Sequence, residues 1–343
     1  MRQIRVLVVE DSMVFRELLV KNLEKDPAIK VVATATDPFE ARDKIIEYRP
    51  DVMTLDVELP KMNGIEFLRK LMPQYPLPVI VISSLSDKVF DALSAGAVDF
   101  VAKPSMADRT ALEKFLSNEL PVKVKVASTA RISNIKKKTD VKLESSKDFK
   151  LKKDLLIAIG ASTGGTEATA TILREMNADI PGMVITQHMP PGFTTMYAKR
   201  LDDQCKFHVK EAENGDIIKP GHAYLAPGGD RHMKVQRVGD LLKIKLEEGP
   251  KVNGHCPSVD VLFESVAKAC GDRALGTILT GMGGDGAKGL KSMRDAGART
   301  IGQDESTCVV YGMPKVAYDL GAVEYQEKIT DIAGKAYYVL NRM

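Results

Sequence analysis

A serine near the middle of the chain lies where it can act as a nucleophile. Residues 157–168 have the sequence IAIGASTGGTEA, so Ser162 follows an apolar run in a G-x-S-x-G pattern and precedes a helical pattern. A sharp turn of this kind between a strand and a helix can present a serine hydroxyl at the top of a sheet. The hydroxyl reacts only when a base lies within hydrogen-bond reach and a third group orients that base.

Two later residues fit the roles of base and orienting group. His188 ends the next predicted strand, in VITQHMPPG, and Asp285 follows a later strand, in TGMGGDGAKG. Because adjacent parallel strands lie about 5 Å apart, their tips can bring these residues together. The predicted triad of Ser162, His188 and Asp285 differs in chain order from the Ser…Asp…His order of α/β-hydrolases. Neighbouring glycines leave backbone N–H groups uncovered for an oxyanion, near Thr163 and Met282.

The turn at Ser162 has a second interpretation, as a phosphate site at a helix N-terminus. The sequence GASTGG matches neither G-x-x-x-x-G-K-[ST] nor G-x-G-x-x-G, and the next strand ends in His188 rather than in an acidic residue that would bind a ribose. The residues alone therefore favour a hydrolase over a nucleotide site and leave the second alternative open.

A separate group of charged residues occupies the N-terminal part of the chain. Glu10 and Asp11 follow the first predicted strand, Asp56 ends the third, Ser83 the fourth and Lys103 the fifth. Three carboxylates at one sheet edge repel one another unless a cation binds, and Mg²⁺ prefers a few carboxylates plus water. Lys103 would offset the remaining charge. A carboxylate beside Mg²⁺ and a lysine can also accept a phosphoryl group.

Two α/β regions position these residues. Five strand–helix units in succession over residues 4–118 predict a doubly wound, parallel sheet. A second α/β region begins at residue 154. Within it, GDIIKPGHAYLAPGG and HMKVQRVGDLLKIKLEE alternate polar and apolar residues between glycines and prolines, which predicts hairpins or an antiparallel edge.

The segment between these regions is rich in lysine and poor in apolar residues, which predicts a linker over residues 120–153. A solvated tether is favoured over a basic surface that docks on an acidic partner. The whole chain has a net charge of only +3 and is mildly acidic outside this segment, so the composition does not imply a nucleic-acid-binding protein.

Cysteines and hydropathy favour a cytoplasmic protein. The four cysteines are scattered and none forms a C-x-x-C pair, which is typical of a reduced, intracellular chain. The pair His255-Cys256 lacks a second ligand pair at zinc spacing. His222 and His232 are predicted to be structural. No apolar run approaches the roughly 20 residues of a membrane helix, and no signal peptide is indicated, so we expect no membrane insertion.

The motifs VVEDS, LDVELPKMNG, VIVISS and DFVAKP resemble the receiver domain of bacterial response regulators, over residues 1 to about 118. The resemblance implies roles for six residues: phosphorylation of Asp56; Mg²⁺ binding by Glu10, Asp11 and Asp56; and switch functions for Ser83, Phe100 and Lys103. Position 100 is often tyrosine in this family, so Phe100 can change its packing but lacks the hydroxyl for a hydrogen bond.

The motifs IGASTGG, QHMPPGFT, YLAPGGDRHM and LTGMGGDGA resemble the catalytic domain of chemotaxis protein-glutamate methylesterases, the CheB family. The resemblance implies hydrolysis of glutamate γ-methyl esters on chemoreceptors with release of methanol, deamidation of receptor glutamines, and control through phosphorylation by the chemotaxis histidine kinase. The Mg²⁺ would serve phosphorylation, and the ester hydrolysis would need no cofactor.

These expectations define an α/β protein in three parts. Residues 1–119 form a flavodoxin-like (βα)5 receiver domain, residues 120–153 the linker, and residues 154–343 a doubly wound, mostly parallel methylesterase domain with an antiparallel hairpin region. Two other functions are considered. The intact predicted triad disfavours a binding-only module, and the absence of a helix-turn-helix pattern disfavours a DNA-binding regulator.

Overall fold

The computed structural model describes residues 2–84, 87–132 and 155–343 of the chain. The chain divides into two compact units, residues 1–136 and residues 137–343. Most of the predicted linker, residues 133–153, lies outside the described residues. Each unit is considered by itself below.

The first unit contains a five-stranded parallel sheet in the order β2-β1-β3-β4-β5. Its elements are β1 (Ile4–Val9), α1 (Met13–Leu23), β2 (Ile29–Ala35), α2 (Pro38–Tyr48), β3 (Val52–Asp56), α3 (Gly64–Leu71), β4 (Val79–Ser83), α4 (Lys88–Ser94), β5 (Asp99–Ala102), α5 (Arg109–Lys114), a π-helical turn (Phe115–Glu119) and α6 (Leu120–Ala127). Strands β3 and β4 are fully buried, as expected for central strands with both faces covered. The predicted doubly wound parallel sheet is confirmed.

The last helix of this unit corrects one predicted boundary. The sequence predicted that the linker begins at residue 120, but α6 continues the preceding helix to Ala127. Leu120 and Val124 are buried, and Lys123 and Lys125 pair with Asp99 and Asp26. The high lysine content predicts a solvated tether, whereas these two lysines belong to a packed helix and form ion pairs within the first unit.

The second unit contains a seven-stranded sheet in the order β14-β13-β12-β6-β7-β9-β8. Its elements are β6 (Leu156–Ala161), α7 (Gly165–Glu175), β7 (Gly182–Gln187), α8 (Phe193–Gln204), β8 (His208–Glu211), β9 (His222–Leu225), β10 (Arg231–Val238), β11 (Leu241–Glu248), α9 (Val259–Cys270), a 3₁₀ turn (Gly271–Arg273), β12 (Ala274–Ile278), α10 (Ala287–Asp295), β13 (Arg299–Gln303), a 3₁₀ turn (Glu305–Thr307), α11 (Met313–Asp319), β14 (Tyr325–Glu327) and α12 (Ile332–Leu340).

Every strand pair recorded in the seven-stranded sheet is parallel. The predicted hairpin in HMKVQRVGDLLKIKLEE is confirmed, since β10 and β11 pair in antiparallel register as a separate two-stranded sheet. The antiparallel prediction for GDIIKPGHAYLAPGG holds for its first part, where Ile217 forms an isolated antiparallel bridge with Lys243 of β11. It is wrong for β9, which pairs in parallel with β7 and β8. A ten-residue connection without a helix, residues 212–221, returns the chain to the same edge of the sheet.

Candidate functional site

The turn after β6 places Ser162 at the carboxyl end of the central strands. Gly164 adopts φ +75°, a conformation that favours glycine, and α7 begins at the next residue. The Ser162 amide donates to the carbonyl of Thr280 at 3.0 Å, which ties this turn to the loop after β12. A Cβ at Gly281 would lie 2.7 Å from Ser162 Cβ, so only glycine permits this approach.

His188 follows the last paired residue of β7, beside the tip of β6. Ala161 pairs with Gln187, and the His188 amide donates to the Ala161 carbonyl at 3.1 Å. The parallel register therefore brings Ser162 and His188 to neighbouring strand tips, as predicted. The His188 side chain is only 7% exposed, and its Nε2 lies 2.8 Å from Asp285 Oδ2. Its Nδ1 is buried and has no hydrogen-bond partner among the described residues.

Asp285 is buried and accepts hydrogen bonds on both carboxylate oxygens. Oδ2 accepts from the Val259 amide at 2.7 Å and faces His188 Nε2. Oδ1 accepts from Ser258 Oγ at 2.7 Å, from Asn253 Nδ2 at 3.0 Å and from a second α9 amide at 3.2 Å.

The start of α9 is also favourable for an anion, because free helical N–H groups and the helix dipole point at the carboxylate. Burial acts to raise the pKa of Asp285, but the hydrogen bonds from His188, Asn253 and Ser258 outweigh it and keep the pKa well below its usual range. The carboxylate is therefore ionised and fixed in orientation.

Close packing around β6 makes this arrangement possible. A Cβ at Gly160 would lie 2.2 Å from Val259 Cγ1, so the first turn of α9 rests directly on the strand that leads to Ser162. A Cβ at Gly286 would lie 2.5 Å from the same methyl group. These two glycines let α9 approach both the serine strand and the loop that carries Asp285.

The segment before α9 adds two residues to the candidate site that the sequence did not indicate. The His188 and His255 rings are stacked, with centroids 3.7 Å apart and planes 8° apart. Asn253 bridges two buried carboxylates, with Nδ2 2.7 Å from Asp260 Oδ2 and 3.0 Å from Asp285 Oδ1. The zinc pattern considered for His255 gave no reason to place it beside His188. The Asn-Gly pair at positions 253–254 was an available signal for a tight turn at this point.

The oxyanion candidates lie beside Ser162 along the chain and in space. Thr163 is the next residue and is buried, and its carbonyl accepts from Thr280 Oγ1 at 3.0 Å. Met282 follows Gly281, which approaches Ser162. Met282 is 49% exposed. Thr163 and Met282 are thus chain neighbours of residues at the site, and their roles remain predictions.

The two histidines predicted to be structural lie on strands. His232 is buried on β10, where its Nε2 lies 2.9 Å from the Pro250 carbonyl and its Nδ1 accepts from the Ser258 amide at 3.1 Å. It thereby supports the N-cap of α9. His222 begins β9, and its Nδ1 lies 3.0 Å from the Pro220 carbonyl.

The receiver unit gathers its carboxylates around one lysine. Lys103 Nζ lies 2.9 Å from Glu10 Oε2 and also contacts Asp56 Oδ2, and both acidic residues are buried. Burial and the neighbouring charge of Asp56 raise the pKa of Glu10 to about 7, although the Lys103 hydrogen bond acts to lower it. Lys103 alone therefore does not offset the negative charge at this edge of the sheet.

These residues fit a divalent cation. Oxygen atoms of Glu10, Asp11 and Asp56 all lie within 4.8 Å of one another, which is the donor set that Mg²⁺ prefers. Asp11 is exposed, so the cluster is open to solvent on one side. The Glu58 amide donates to Asp56 Oδ1 at 2.8 Å and fixes the aspartate side chain.

The predicted switch residues lie on β4 and β5. Ser83 ends β4 and is buried, and its carbonyl accepts from the Lys103 amide at 2.7 Å. Phe100 on β5 is 5% exposed, so its ring points inward in this structure. Its amide donates to the Asp99 carboxylate at 2.8 Å.

No helix in the described part of the chain is long and apolar enough to span a membrane.

Comparison with known proteins covers both units. Residues 6–115 match the response regulator receiver domain model, and residues 157–336 match the CheB methylesterase model. A protein-glutamate methylesterase/protein-glutamine glutaminase 2 of Syntrophomonas wolfei is 56% identical over all of this chain and 99% of its own. A protein-glutamate methylesterase/protein-glutamine glutaminase of Salmonella typhi is 48% identical over 94% of this chain and 93% of its own.

A solved structure agrees with the fold of the second unit. The crystal structure of the Thermotoga maritima CheB methylesterase catalytic domain is 36% identical, with a TM-score of 0.53, and covers 54% of this chain and 98% of its own. The fold and the matches define an enzyme of the response regulator class, with a receiver domain and an esterase unit. The chain belongs to the CheB methylesterase family.

Proposed function

We propose that this chain hydrolyses glutamate γ-methyl esters on chemoreceptors, with release of methanol, and that phosphorylation of its receiver unit raises this activity. The observation that carries the proposal is the state of His188. Its Nε2 contacts an ionised Asp285, and its buried Nδ1, beside the Ser162 turn, has no hydrogen-bond partner within residues 2–84, 87–132 and 155–343. The relatives' names and the family match support the substrate class.

The hydrogen bond to Asp285 determines which nitrogen acts as the base. A carboxylate with its pKa far below neutral accepts and does not donate, so the neutral imidazole carries its proton on Nε2. Nδ1 then has the lone pair that can remove the proton from Ser162 Oγ. Asp285 also stabilises the imidazolium that results.

The reaction follows the order of an acyl transfer. Ser162 Oγ attacks the ester carbonyl as its proton moves to His188 Nδ1. The oxyanion is bound by backbone N–H groups at Thr163 or Met282, and the imidazolium returns its proton to the departing methanol. Water then hydrolyses the acyl-enzyme and leaves a glutamate carboxylate. A glutamine substrate passes through the same acyl-enzyme with ammonia as the leaving group, which supports deamidation as a second activity.

The receiver unit supplies the control. Glu10, Asp11 and Asp56 would hold Mg²⁺, which when bound neutralises charge on a phosphoryl group, and Asp56 is the acceptor that we assign. Lys103 lies against Asp56 and is placed to pair with the added charge, while Ser83 and Phe100 are the residues assigned to respond to it. The proposed phosphodonor is the chemotaxis histidine kinase.

The proposed location is the cytoplasm. The four cysteines, all in the described part of the chain, are not joined by disulfides, and two of them are buried. Thiols that persist in this state are typical of a reducing compartment. Burial raises the pKa of Cys270 to about 11, which keeps that thiol unreactive.

The first test is methanol release from methylated receptor membranes by the full-length protein. Ser162→Ala is expected to lower the rate by about 10⁴-fold or more without a loss of stability, since it removes the nucleophile. Asp295→Asn, an exposed change on α10 of the same unit, is the matched control and is expected to leave the rate unchanged. Wild-type release by Ser162→Ala would contradict the proposed mechanism.

The second test adds a small-molecule phosphodonor and Mg²⁺ to the same assay. The wild-type rate is expected to rise, and both Asp56→Asn and removal of Mg²⁺ are expected to abolish that rise. A full response in Asp56→Asn would overturn the phosphorylation model but leave the esterase proposal intact. Absence of methanol release under all conditions, with Ser162 unreactive to a sulfonyl fluoride, would favour a binding-only module.

A further inference from the structure

The His188 ring has one hydrogen bond to the protein, and that bond alone does not define its plane. The Nε2 contact to Asp285 fixes one atom of the ring, while Nδ1 has no hydrogen-bond partner in the part of the chain that the structure describes. The imidazole can therefore tilt about the Nε2···Oδ2 contact. Because proton transfer needs the Nδ1 lone pair aimed at the serine oxygen, such a tilt reduces the rate.

His255 covers one face of this ring. The two imidazoles lie almost parallel at 8°, with centroids 3.7 Å apart, which is van der Waals contact between flat rings. A stacked neighbour at this distance opposes tilting of His188 out of its plane. It does so without occupying Nδ1, which stays available to the serine.

Hydrogen bonds hold the segment that carries His255. The His255 amide donates to the Val252 carbonyl at 2.9 Å, and the Val252 amide donates back at 3.0 Å. Asn253 and Gly254 form the turn between them with φ +51° and +85°, the positive values that a type I′ turn requires. The Asn253 side-chain amide then anchors the turn, because its Nδ2 donates to Asp260 and Asp285.

One carboxylate thus connects both supports of the imidazole. Asp285 binds His188 through Oδ2 and binds Asn253, two residues before His255, through Oδ1. We propose that His255 is a positioning residue, which stacks on His188 and keeps the His188 ring aligned for proton transfer from Ser162. This inference rests on the proposed function, because it assigns a support to the proposed general base.

The experiment compares three variants of the full-length protein: His255→Ala, His255→Leu and His255→Phe. Leucine restores side-chain volume without a flat ring, and phenylalanine restores a flat ring without nitrogen atoms. One readout is steady-state methanol release from methylated receptor membranes with phosphodonor and Mg²⁺. The other is the rate of Ser162 inactivation by phenylmethylsulfonyl fluoride, which needs no receptor.

His255→Ala and His255→Leu are expected to lower kcat and the inactivation rate about 10- to 100-fold, with KM unchanged within about twofold. His255→Phe is expected to recover both rates to within about threefold of wild type, because the flat ring alone restrains His188. His222→Ala is the matched control, since His222 is also half-buried and has its ring 19° from the plane of Tyr224. It is expected to behave as wild type in both assays.

Three results would overturn the proposal: wild-type kcat in His255→Ala, a change in KM alone, or a His255→Phe protein as slow as His255→Ala. Should His255→Ala unfold, the comparison of the leucine and phenylalanine variants still decides the question. Failure of the proposed function gives a different pattern, in which Ser162→Ala keeps its activity or the wild-type Ser162 does not react with the sulfonyl fluoride.

Discussion

Buried carboxylates follow parallel strands in both units, but their pKa values shift in opposite directions. In the receiver unit, Glu10 and Asp56 share the single cation of Lys103, and the pKa of Glu10 is raised to about 7. In the esterase unit, Asp285 accepts hydrogen bonds from groups on α9, from the Asn253 side chain and from His188, and its pKa is held low.

The number of donors around each carboxylate explains this difference. An excess of carboxylate oxygens over donors leaves negative charge that a divalent cation can offset, so the receiver site suits a metal and a phosphoryl group. A carboxylate surrounded by donors needs no cation and cannot rotate, so Asp285 suits the orientation of an imidazole. Aspartates on the carboxyl side of a parallel sheet thus fit the proposed regulation in one unit and the proposed catalysis in the other.

The largest expected effect comes from removing the charge of Asp285. Asp285→Asn places an amide NH₂ among groups that all donate, so the side chain loses acceptors and His188 loses control of its tautomer. We expect kcat for methanol release to fall about 10⁴-fold. The measurement is steady-state release, with protein folding checked by circular dichroism. A loss of less than tenfold would mean that Asp285 does not orient the base.

An intermediate effect is expected for the cation of the receiver site. Lys103→Met leaves two buried carboxylates without their partner, so the receiver unit should lose about 3 kcal/mol of stability at pH 7. Hydrogen exchange of the full-length protein should show this loss in β1 and β3 and leave β6 and β7 unaffected. Mg²⁺ should restore part of the protection.

The matched control for this prediction is Lys61→Met. Lys61 also pairs with a buried aspartate, Asp37, but its own side chain is 62% exposed. Solvent and the α2 amides that bind Asp37 can compensate, so we expect a loss of at most about 1 kcal/mol. Equal losses in both variants would show that Lys103 acts as an ordinary surface partner.

The smallest expected effect compares two helix N-caps. Ser258 caps α9 and donates to Asp285 at 2.7 Å, whereas Ser12 caps α1 through a 3.4 Å contact with the Phe15 amide. Both alanine variants should lose about 1 kcal/mol of stability. Only Ser258→Ala should also slow the reaction of Ser162 with phenylmethylsulfonyl fluoride, by about three- to tenfold. Equal inactivation rates in the two variants would show that the Ser258 cap of α9 does not affect the reactivity of Ser162.

Residue type and strand period together allowed much of this arrangement to be predicted. Ser162 and His188 follow adjacent buried runs, and a parallel register then brings them to neighbouring tips. Asp285 follows a third such run, and the structure places it on His188. The receiver carboxylates were predicted in the same way, because each of them follows or ends a strand.

The missed features depend on packing between distant segments. Nothing in the sequence near His255 shows that the tight turn before it lies against the tip of β7, so the stacked ring pair could not be predicted. The start of the linker was misplaced because lysines with exposed ends can line a helix whose other face is buried. Strand β9 was assigned the wrong direction because a four-residue strand between glycines and prolines resembles part of a hairpin.

The contact between Gly160 and Val259 links two positions that are far apart in the chain. A Cβ at position 160 would overlap a methyl group of Val259, at the turn of α9 whose amide binds Asp285. In a library of variants, alanine at position 160 should therefore be tolerated mainly when position 259 becomes smaller. Such compensation would make these residues a covarying pair, and their covariation would reflect how closely α9 approaches the strand that leads to Ser162.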